Sequence, residues 1–230
     1  MTIENSNVSL ENPLGFRPPE YVEGAAPLVD YKAFLPRQGS LWIFAYGSLM
    51  WNPEFAVRGR SLARVHGYHR DLCMRSTLFR GTVDSPGLVL GLRSGGSCLG
   101  AVLEIEPDGL KLALENLWLR EMRGNIYTPR LVTAHLTVSA EPTTALTEWL
   151  ADSHPQVEKV TALTFIANCD SPAYTPEVCP IEAKSRVAKC SGERGSNLDY
   201  VRNTVTHLEA LGIYDTVLRK LCDDAAQLCE

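Results

Sequence analysis

The amino-acid sequence predicts an α+β fold in which strands and helices are intermixed. Short apolar runs rich in aromatic and β-branched residues, of which 41–45 (LWIFA) is the clearest, indicate buried strands. Other segments, such as 110–118, carry apolar residues at helical spacing. The two kinds of segment do not alternate regularly along the chain, which argues against a doubly wound fold.

The composition predicts a soluble globular protein with a sizeable core. Of 230 residues, 45% are hydrophobic and 21% are charged, and no apolar run is long enough to cross a bilayer. The net charge of −5 disfavours nucleic acid or an anionic membrane surface as a partner. Seven scattered cysteines without a Cys-x-x-Cys pair, and a start without signal-peptide features, predict free thiols and a cytoplasmic location.

The first forty residues differ from the rest of the chain. They are polar and interrupted by five prolines, so we expect an N-terminal extension (1–40) with little regular structure. The apolar residues of its later part are expected to attach it to the core; they are Tyr21, Leu28, Val29, Tyr31, Phe34 and Leu35. The remainder, 41–230, is predicted to form one domain.

The first predicted strand, 41–45, ends in the tetrapeptide Tyr46-Gly47-Ser48-Leu49. Gly47 allows a sharp turn there. Successive backbone N–H groups at such a turn can form a cradle for a negatively charged oxygen, with Tyr46 and Ser48 on either side. An ordinary strand followed by a turn is the simpler interpretation of the same residues.

Further strands are predicted from apolar runs bounded by turn signals. We expect a strand over 61–74 with a break at Gly67, and a hairpin of strands 88–92 and 98–105 joined by Gly95 and Gly96. Strands are also expected over 126–138 and 157–167. Short helices are expected over 143–151 and 181–189. Two final helices are expected, one opened by Ser196 as N-cap and stopped by Gly212, the other over 214–228.

The helix expected after Pro107 carries the most informative single residue. Asp108 is predicted to cap it, and its apolar positions 110, 114, 117 and 118 mark one face. The next position on that face is Glu121, a carboxylate where the pattern calls for a core residue. It is either solvated at the frayed helix end beside Arg123 or buried beside Trp118. If it is buried, desolvation raises its pKa and suits it to general acid–base catalysis.

Other residues give weaker signals. His66 and His69 lack further ligands at metal-binding spacing, so no metal site is predicted. Ser48 lacks the Gly-x-Ser-x-Gly context of a nucleophile, and Cys73 and Cys169 resemble structural thiols.

Several blocks in a fixed order carry a family resemblance. They are residues 44–49 (FAYGSL), 80–82 (RGT), 86–92 (PGLVLGL), 95–98 (GGSC), 117–122 (LWLREM), 127–130 (YTPR), 168–174 (NCDSPAY) and 195–200 (GSNLDY). Together they resemble the ChaC-like family of γ-glutamylcyclotransferases, which act on glutathione. Ala45 stands where many relatives have glycine.

The resemblance implies a fold and a set of site residues. The fold is a small closed mixed β-barrel flanked by helices, with the cavity at one barrel mouth. Glu121 matches the family's catalytic glutamate, and the Tyr46 loop resembles its γ-glutamyl-binding loop. The substrate-binding residues expected on this basis are Phe44, Ala45, Tyr46, Gly47, Ser48, Leu49, Arg75, Arg80, Tyr127 and Tyr174.

The activity that the resemblance implies is a lyase reaction. Intramolecular attack of the γ-glutamyl α-amine releases 5-oxoproline and Cys-Gly, with Glu121 as general base and then acid, and without metal or organic cofactor. Glutathione, a small molecule, is the expected partner; the resemblance assigns no oligomeric state. Two alternatives stay open: a cyclotransferase for other γ-glutamyl amines or amino acids, and a non-catalytic regulatory binding protein of the same fold.

Overall fold

The structure is a computed structural model that describes residues 30–37, 39–137 and 159–229. Within these ranges five strands close a barrel in the order β1-β3-β2-β4-β5. The strands are β1 (Trp42–Ala45), β2 (Val57–Ser76), β3 (Gly87–Ile105), β4 (Tyr127–Leu136) and β5 (Lys159–Ala167). Strands β1 and β5 pair in parallel, and the other neighbours are antiparallel. The predicted closed mixed barrel is therefore confirmed.

Helices flank this barrel. The α-helices of the described ranges are α1 (Leu110–Glu121), α2 (Pro180–Lys189), α3 (Asn197–Ala210) and α4 (Thr216–Ala226). Single 3₁₀ turns occur at Tyr31–Phe34, Ser48–Met50 and Arg123–Asn125, and a two-stranded ribbon pairs β6 (Ser191–Gly192) with β7 (Gly195–Ser196). Helices α2, α3 and α4 pack on one another. No helix in the described ranges is long and apolar enough to cross a membrane.

The predicted hairpin over 88–105 was wrong. Strand β3 is continuous, and both of its halves pair with β2 instead of with each other. Gly95 and Gly96 have φ of 98° and 71°, and Gly67 lies at the same level of β2 with φ of 85°. At these glycines the pairing register between β2 and β3 shifts, and the two strands go on pairing on the other side of the shift. Because β2 already supplies a partner along the whole length of β3, the glycines bend the chain and do not reverse it.

The ends of two helices show how local sequence determines a cap. The cap of α1 is Gly109, with φ of 102°, and not Asp108, whose side chain lies one residue too early. Ser196 caps α3 as predicted, because its Oγ accepts the N–H of Asp199 at 3.0 Å. The helix predicted over 143–151 lies outside the described residues.

The end of the N-terminal extension packs on the core. Tyr31–Phe34 forms a 3₁₀ turn, and the ring of Phe34 lies 5.3 Å from that of Trp118 on α1. Tyr31 and Leu35 also pack against the core, as predicted. Tyr21, Leu28 and Val29, for which the same was expected, lie outside the described residues.

Candidate active site

One end of the barrel holds a two-part cavity. The C-terminal ends of β1 and β5 lie at this end with the N-terminal end of β4, because β1 is parallel and β4 antiparallel to β5. An inner recess of about 30 Å³ opens into an outer cavity of about 450 Å³. Residues common to both parts are Ser48, Glu121, Tyr127 and Tyr200. The outer part has the size expected of a small-molecule site.

The loop after β1 forms one wall of the recess. Chain direction changes at Gly47, and a Cβ built there would lie 3.5 Å from Tyr200 Oη and 3.6 Å from Leu90, inside the recess. Glycine therefore keeps the recess open. The N–H groups of Gly47, Ser48 and Leu49 donate to no acceptor among the described residues, whereas Met50 and Trp51 close the 3₁₀ turn. Three neighbouring donors are thus available for a negatively charged oxygen.

Arg70 of β2 holds the start of this loop in place through its side chain. Its Nε donates to the Tyr46 carbonyl at 2.7 Å, and its Nη2 donates to the Leu99 carbonyl at 2.6 Å. Its side chain is buried and lies 3.6 Å from Asp215, the N-cap residue of α4. Strand β2 and helix α4 therefore hold the backbone immediately before Gly47.

Glu121 is the last residue of α1 and lies in the wall of both cavities. Its side chain is 13% exposed, and Arg120 Nε lies 3.0 Å from its Oε1. Burial raises the pKa of the Glu121 carboxyl and the nearby Glu54 charge adds to this, while Arg120 opposes the rise. A desolvated carboxyl with a raised pKa is suited to both accepting and returning a proton. The pairing with Arg120 was not predicted.

Arg120 joins Glu121 to the loop. Its side chain is 7% exposed; Nη2 donates to Ser48 Oγ at 2.7 Å and Nη1 donates to the Asn52 carbonyl at 2.6 Å. Glu54 Oε1 lies 3.4 Å from Arg120 Nη1. One guanidinium thus fixes the distance between the carboxylate and the cradle.

The outer cavity has cationic and aromatic walls. Arg194 stacks on Phe79, with 4.5 Å from its Cζ to the ring centroid, and its Nη1 donates to Glu54 at 2.9 Å. Arg80 Nη1 donates to the carbonyls of Arg194 and Ser196. Three guanidinium groups, those of Arg80, Arg120 and Arg194, therefore border this cavity, and that of Arg120 is already paired with Glu121 and Ser48.

Two glycines place Arg80 at the cavity. A Cβ on Gly81 would lie 2.2 Å from the Gly87 nitrogen, and one on Gly87 would lie 2.1 Å from the Arg80 carbonyl oxygen. The backbone segments before and after the turn at 82–86 are therefore in direct contact, which only glycine permits at both positions.

Comparison with known proteins places this barrel and cavity in a family. The family model described as "ChaC-like protein" matches residues 41–227. The chain belongs to the ChaC-like family. A relative named glutathione-specific gamma-glutamylcyclotransferase from Escherichia coli K12 is 31% identical over 197 residues, which are 86% of this chain and 78% of the relative. A relative of the same name from Schizosaccharomyces pombe is 30% identical over 73% of this chain and 82% of its own.

A solved structure supports the ChaC-like fold. The crystal structure of a glutathione-specific γ-glutamyl cyclotransferase from yeast superimposes with a TM-score of 0.71 at 24% identity, covering 83% of this chain and 97% of that one.

The structure brings most of the sequence-predicted ChaC-like site residues to the cavity. Those that line it are Tyr46, Gly47, Ser48, Leu49, Arg80, Glu121 and Tyr127. Phe44 and Ala45 are buried in β1 and form core, not cavity wall. Arg75 is exposed, because alternation along β2 buries its neighbours Met74 and Ser76 and turns it to solvent.

Tyr174 also lies away from the cavity. It forms an isolated bridge with Met74 at the end of β2 and is absent from the cavity wall. The backbone on either side of Tyr174 bonds to the end of β2, since Ala173 accepts the Arg75 N–H and the Thr175 N–H donates to the Cys73 carbonyl.

The alternative nucleophiles and metal ligands are not assembled into a site. Burial raises the pKa of the Cys73 thiol to about 12, and Cys73 does not line the cavity. All seven cysteines are free thiols. No group of three His, Cys, Asp or Glu residues in the described ranges is spaced to hold a metal ion.

Sequence reasoning missed four charged or phenolic side chains of the ChaC-like cavity: Glu54, Arg120, Arg194 and Tyr200. Tyr200 belongs to the 195–200 block that contributed to the resemblance, so a signal was present without a role attached to it. Arg120 was named only as the neighbour of Glu121. Glu54 and Arg194 had no signal, since nothing in their spacing indicates that they meet.

Proposed function

We propose that this chain is a γ-glutamylcyclotransferase that cleaves glutathione to 5-oxoproline and Cys-Gly. The observation that carries the proposal is the buried Glu121 carboxyl, with a raised pKa, in the same recess as the N–H groups of the Tyr46 loop. ChaC-like relatives named for this activity share 30% identity or more over most of their length.

In the first step the γ-glutamyl group closes on itself. Glu121 takes a proton from the α-ammonium, and the free amine attacks the γ-carbonyl carbon to form the new C–N bond of a five-membered ring. The carbonyl electrons move to its oxygen, which becomes an oxyanion. Because attacker and target belong to one molecule, holding the chain folded back supplies much of the rate.

In the second step the tetrahedral intermediate collapses. The oxyanion reforms the carbonyl, the bond to the cysteine nitrogen breaks, and protonated Glu121 gives its proton to that leaving nitrogen. The ring nitrogen, which carries two protons after the attack, loses one to solvent, and the released amine takes one up to become the ammonium group of Cys-Gly. The products are 5-oxoproline and Cys-Gly, and the carboxylate is restored. One carboxyl thus acts as base and then as acid, which suits a group whose pKa burial has raised above the usual range.

The outer cavity suits the Cys-Gly half of the substrate. Glutathione ends in a glycine carboxylate, and Arg80 and Arg194 place guanidinium groups at this cavity. Phe79, Trp51 and Val89 give it an apolar side for the cysteine. Although Arg75 was expected to contribute, its exposure on β2 leaves Arg80 and Arg194 as the groups proposed to hold the carboxylate.

Steady-state kinetics with glutathione and γ-glutamyl-alanine test the proposal, with 5-oxoproline measured by chromatography. We expect turnover of glutathione and poor turnover of γ-glutamyl-alanine. The γ-glutamyl half is common to both, so the difference must come from the cysteine thiol and the glycine carboxylate, which only glutathione carries. Comparable specificity constants would indicate a cyclotransferase for γ-glutamyl amines in general. Binding of glutathione without any 5-oxoproline would overturn the activity and favour a regulatory binding protein.

Arg80→Ala and Arg75→Ala form a matched pair for the substrate preference. Losing a charged hydrogen bond costs about 1.5–3 kcal/mol, roughly ten- to a hundredfold. We expect Arg80→Ala to lower kcat/KM for glutathione by that factor and Arg75→Ala to leave it unchanged. Equal effects of the two variants would show that Arg80 does not hold the carboxylate.

A further inference from the structure

Three tyrosine hydroxyls line the inner recess together with Glu121: those of Tyr46, Tyr127 and Tyr200. Burial raises the pKa of all three phenols, and the charge of Glu121 adds to the rise. They are therefore neutral near pH 7, and each hydroxyl has one proton to donate. Where that proton goes decides whether a hydroxyl offers the substrate a donor or an acceptor.

Two of the protons are already used. Tyr46 Oη lies 2.6 Å from the Phe165 carbonyl oxygen, and Tyr127 Oη lies 2.6 Å from the Leu90 carbonyl oxygen. A carbonyl has no proton, so both phenols must donate. Their oxygens consequently offer only lone pairs to the recess.

The hydroxyl of Tyr200 accepts a hydrogen bond from the protein, where those of Tyr46 and Tyr127 donate one. The backbone N–H of Leu90 donates to Tyr200 Oη at 3.0 Å, so the phenol oxygen accepts there and keeps its own proton. No acceptor for that proton lies within reach among the described residues. Leu90 thus fixes the direction of two phenols, since its carbonyl takes the proton of Tyr127 and its N–H leaves that of Tyr200 available.

The position of Tyr200 is fixed by the first turn of α3. Asn197, three residues earlier, accepts the Leu88 N–H at 2.7 Å and donates to the Leu88 carbonyl at 2.6 Å, so the helix is held against β3. Tyr200 Oη lies 3.5 Å from the Cβ position of Gly47 and therefore borders the cradle. Arg80 lies over the Tyr200 ring, 5.4 Å from its centroid.

From this arrangement we infer that Tyr200 donates its hydroxyl proton as a hydrogen bond to the γ-carbonyl oxygen as that oxygen becomes an oxyanion. The inference rests on the proposed function. It divides the work within the recess: the acceptors Tyr46, Tyr127 and Glu121 receive the α-ammonium, and the loop N–H groups hold the α-carboxylate. Tyr200 is the phenol whose proton remains for the reacting carbonyl.

The chemistry of the donor agrees with this role. Burial raises the pKa of Tyr200 to about 12, while the Leu90 N–H and the Arg80 charge act in the opposite direction. The phenol therefore stays protonated near neutral pH and can donate a hydrogen bond throughout turnover. No proton is transferred from Tyr200, so it needs no reprotonation during turnover.

Kinetics of Tyr200→Phe on glutathione, beside wild type, test the inference. Loss of one oxyanion donor lowers kcat by about 10²–10³-fold. We expect that fall with KM within about threefold. Binding of glutaryl-Cys-Gly, which lacks the attacking amine, should also stay within about threefold by calorimetry, because the donor acts on charge that this ligand never develops.

A second variant separates the role in chemistry from a role in folding. Tyr200→Phe leaves the Leu90 N–H without an acceptor, so 3,5-difluorotyrosine at position 200 is the companion: it keeps the hydroxyl and strengthens it as a donor. We expect this protein to retain kcat within a few-fold of wild type, even if Tyr200→Phe fails to fold. A difluorotyrosine protein that folds but loses kcat a hundredfold would overturn the inference.

The remaining outcomes are distinguishable. If wild type forms 5-oxoproline and Tyr200→Phe keeps kcat within tenfold, or raises KM with kcat unchanged, the role of Tyr200 falls and the cyclotransferase activity stands. If wild type forms no 5-oxoproline, the proposed function falls and this inference with it.

Discussion

Replacing Glu121 by glutamine removes the proposed proton carrier with little change of shape. The glutamine oxygen can still accept from Arg120 Nε, which lies 3.0 Å from the carboxylate, so Arg120 keeps its contacts with Ser48 and Asn52. An amide cannot take the proton of the α-ammonium. General acid–base catalysis contributes about 10²–10⁴-fold, so kcat should fall by that factor, which corresponds to about 2.7–5.4 kcal/mol of activation free energy.

The same substitution should not destabilise the fold at neutral pH. Burial raises the pKa of Glu121, so the folded protein holds this proton more tightly than the unfolded chain. The unfolding free energy of wild type therefore decreases as pH rises from the unfolded pKa through the folded pKa. Glu121→Gln lacks this dependence, so its stability relative to wild type should be higher at pH 8 than at pH 5.

The assay combines turnover of glutathione with urea unfolding at both pH values. Glu115→Gln is the matched control, since Glu115 lies on the same helix but outside the cavity wall. We expect it to keep wild-type kcat. Turnover of Glu121→Gln within tenfold of wild type would refute the acid–base role, and a large loss of its stability at pH 8 would refute the account of burial.

Three further predictions follow from the site. Activity should fall on acidification through the Glu121 pKa, which burial raises above its ordinary value, because the protonated carboxyl cannot accept a proton. Arg120→Met should move this fall in activity to higher pH, since Arg120 lowers that pKa, and an unmoved pH profile would contradict the pairing. Treatment with EDTA should leave turnover unchanged, whereas loss of activity that zinc restores would contradict a reaction carried by side chains alone. Gly81→Ala should lower the unfolding free energy by about 1–3 kcal/mol, because its Cβ would meet the Gly87 nitrogen, and urea unfolding with the wild-type midpoint would contradict that contact.

The sequence indicated the centre of the site because two of its features break a local pattern. Glu121 interrupts the apolar face of α1, and Gly47 interrupts a run of strand residues, so each is visible against its neighbours. Both were found where the pattern placed them. The barrel followed from the family resemblance, since apolar runs alone do not specify how strands close.

The residues that sequence reasoning missed depend on contacts between distant segments. Tyr200 gains its role from Leu90, 110 positions earlier, and Arg194 meets Glu54 across 140 positions. Neither pairing produces a periodic pattern in the sequence from which it could be predicted. Arg75 was expected at the site by its place near Arg80, but strand alternation turns it to solvent. The hairpin error has the same origin, since Gly95 and Gly96 signal a turn locally while β2 supplies a partner for both halves of β3.

The central claim is that the substrate's own amine, and not water, attacks the γ-carbonyl. Reaction of glutathione in ¹⁸O-labelled water, followed by mass spectrometry, tests it directly. We predict unlabelled 5-oxoproline in amounts equal to Cys-Gly, because ring closure brings in no oxygen from solvent. Glutamate carrying ¹⁸O in its γ-carboxyl group would contradict the account, since it would show hydrolysis at this site.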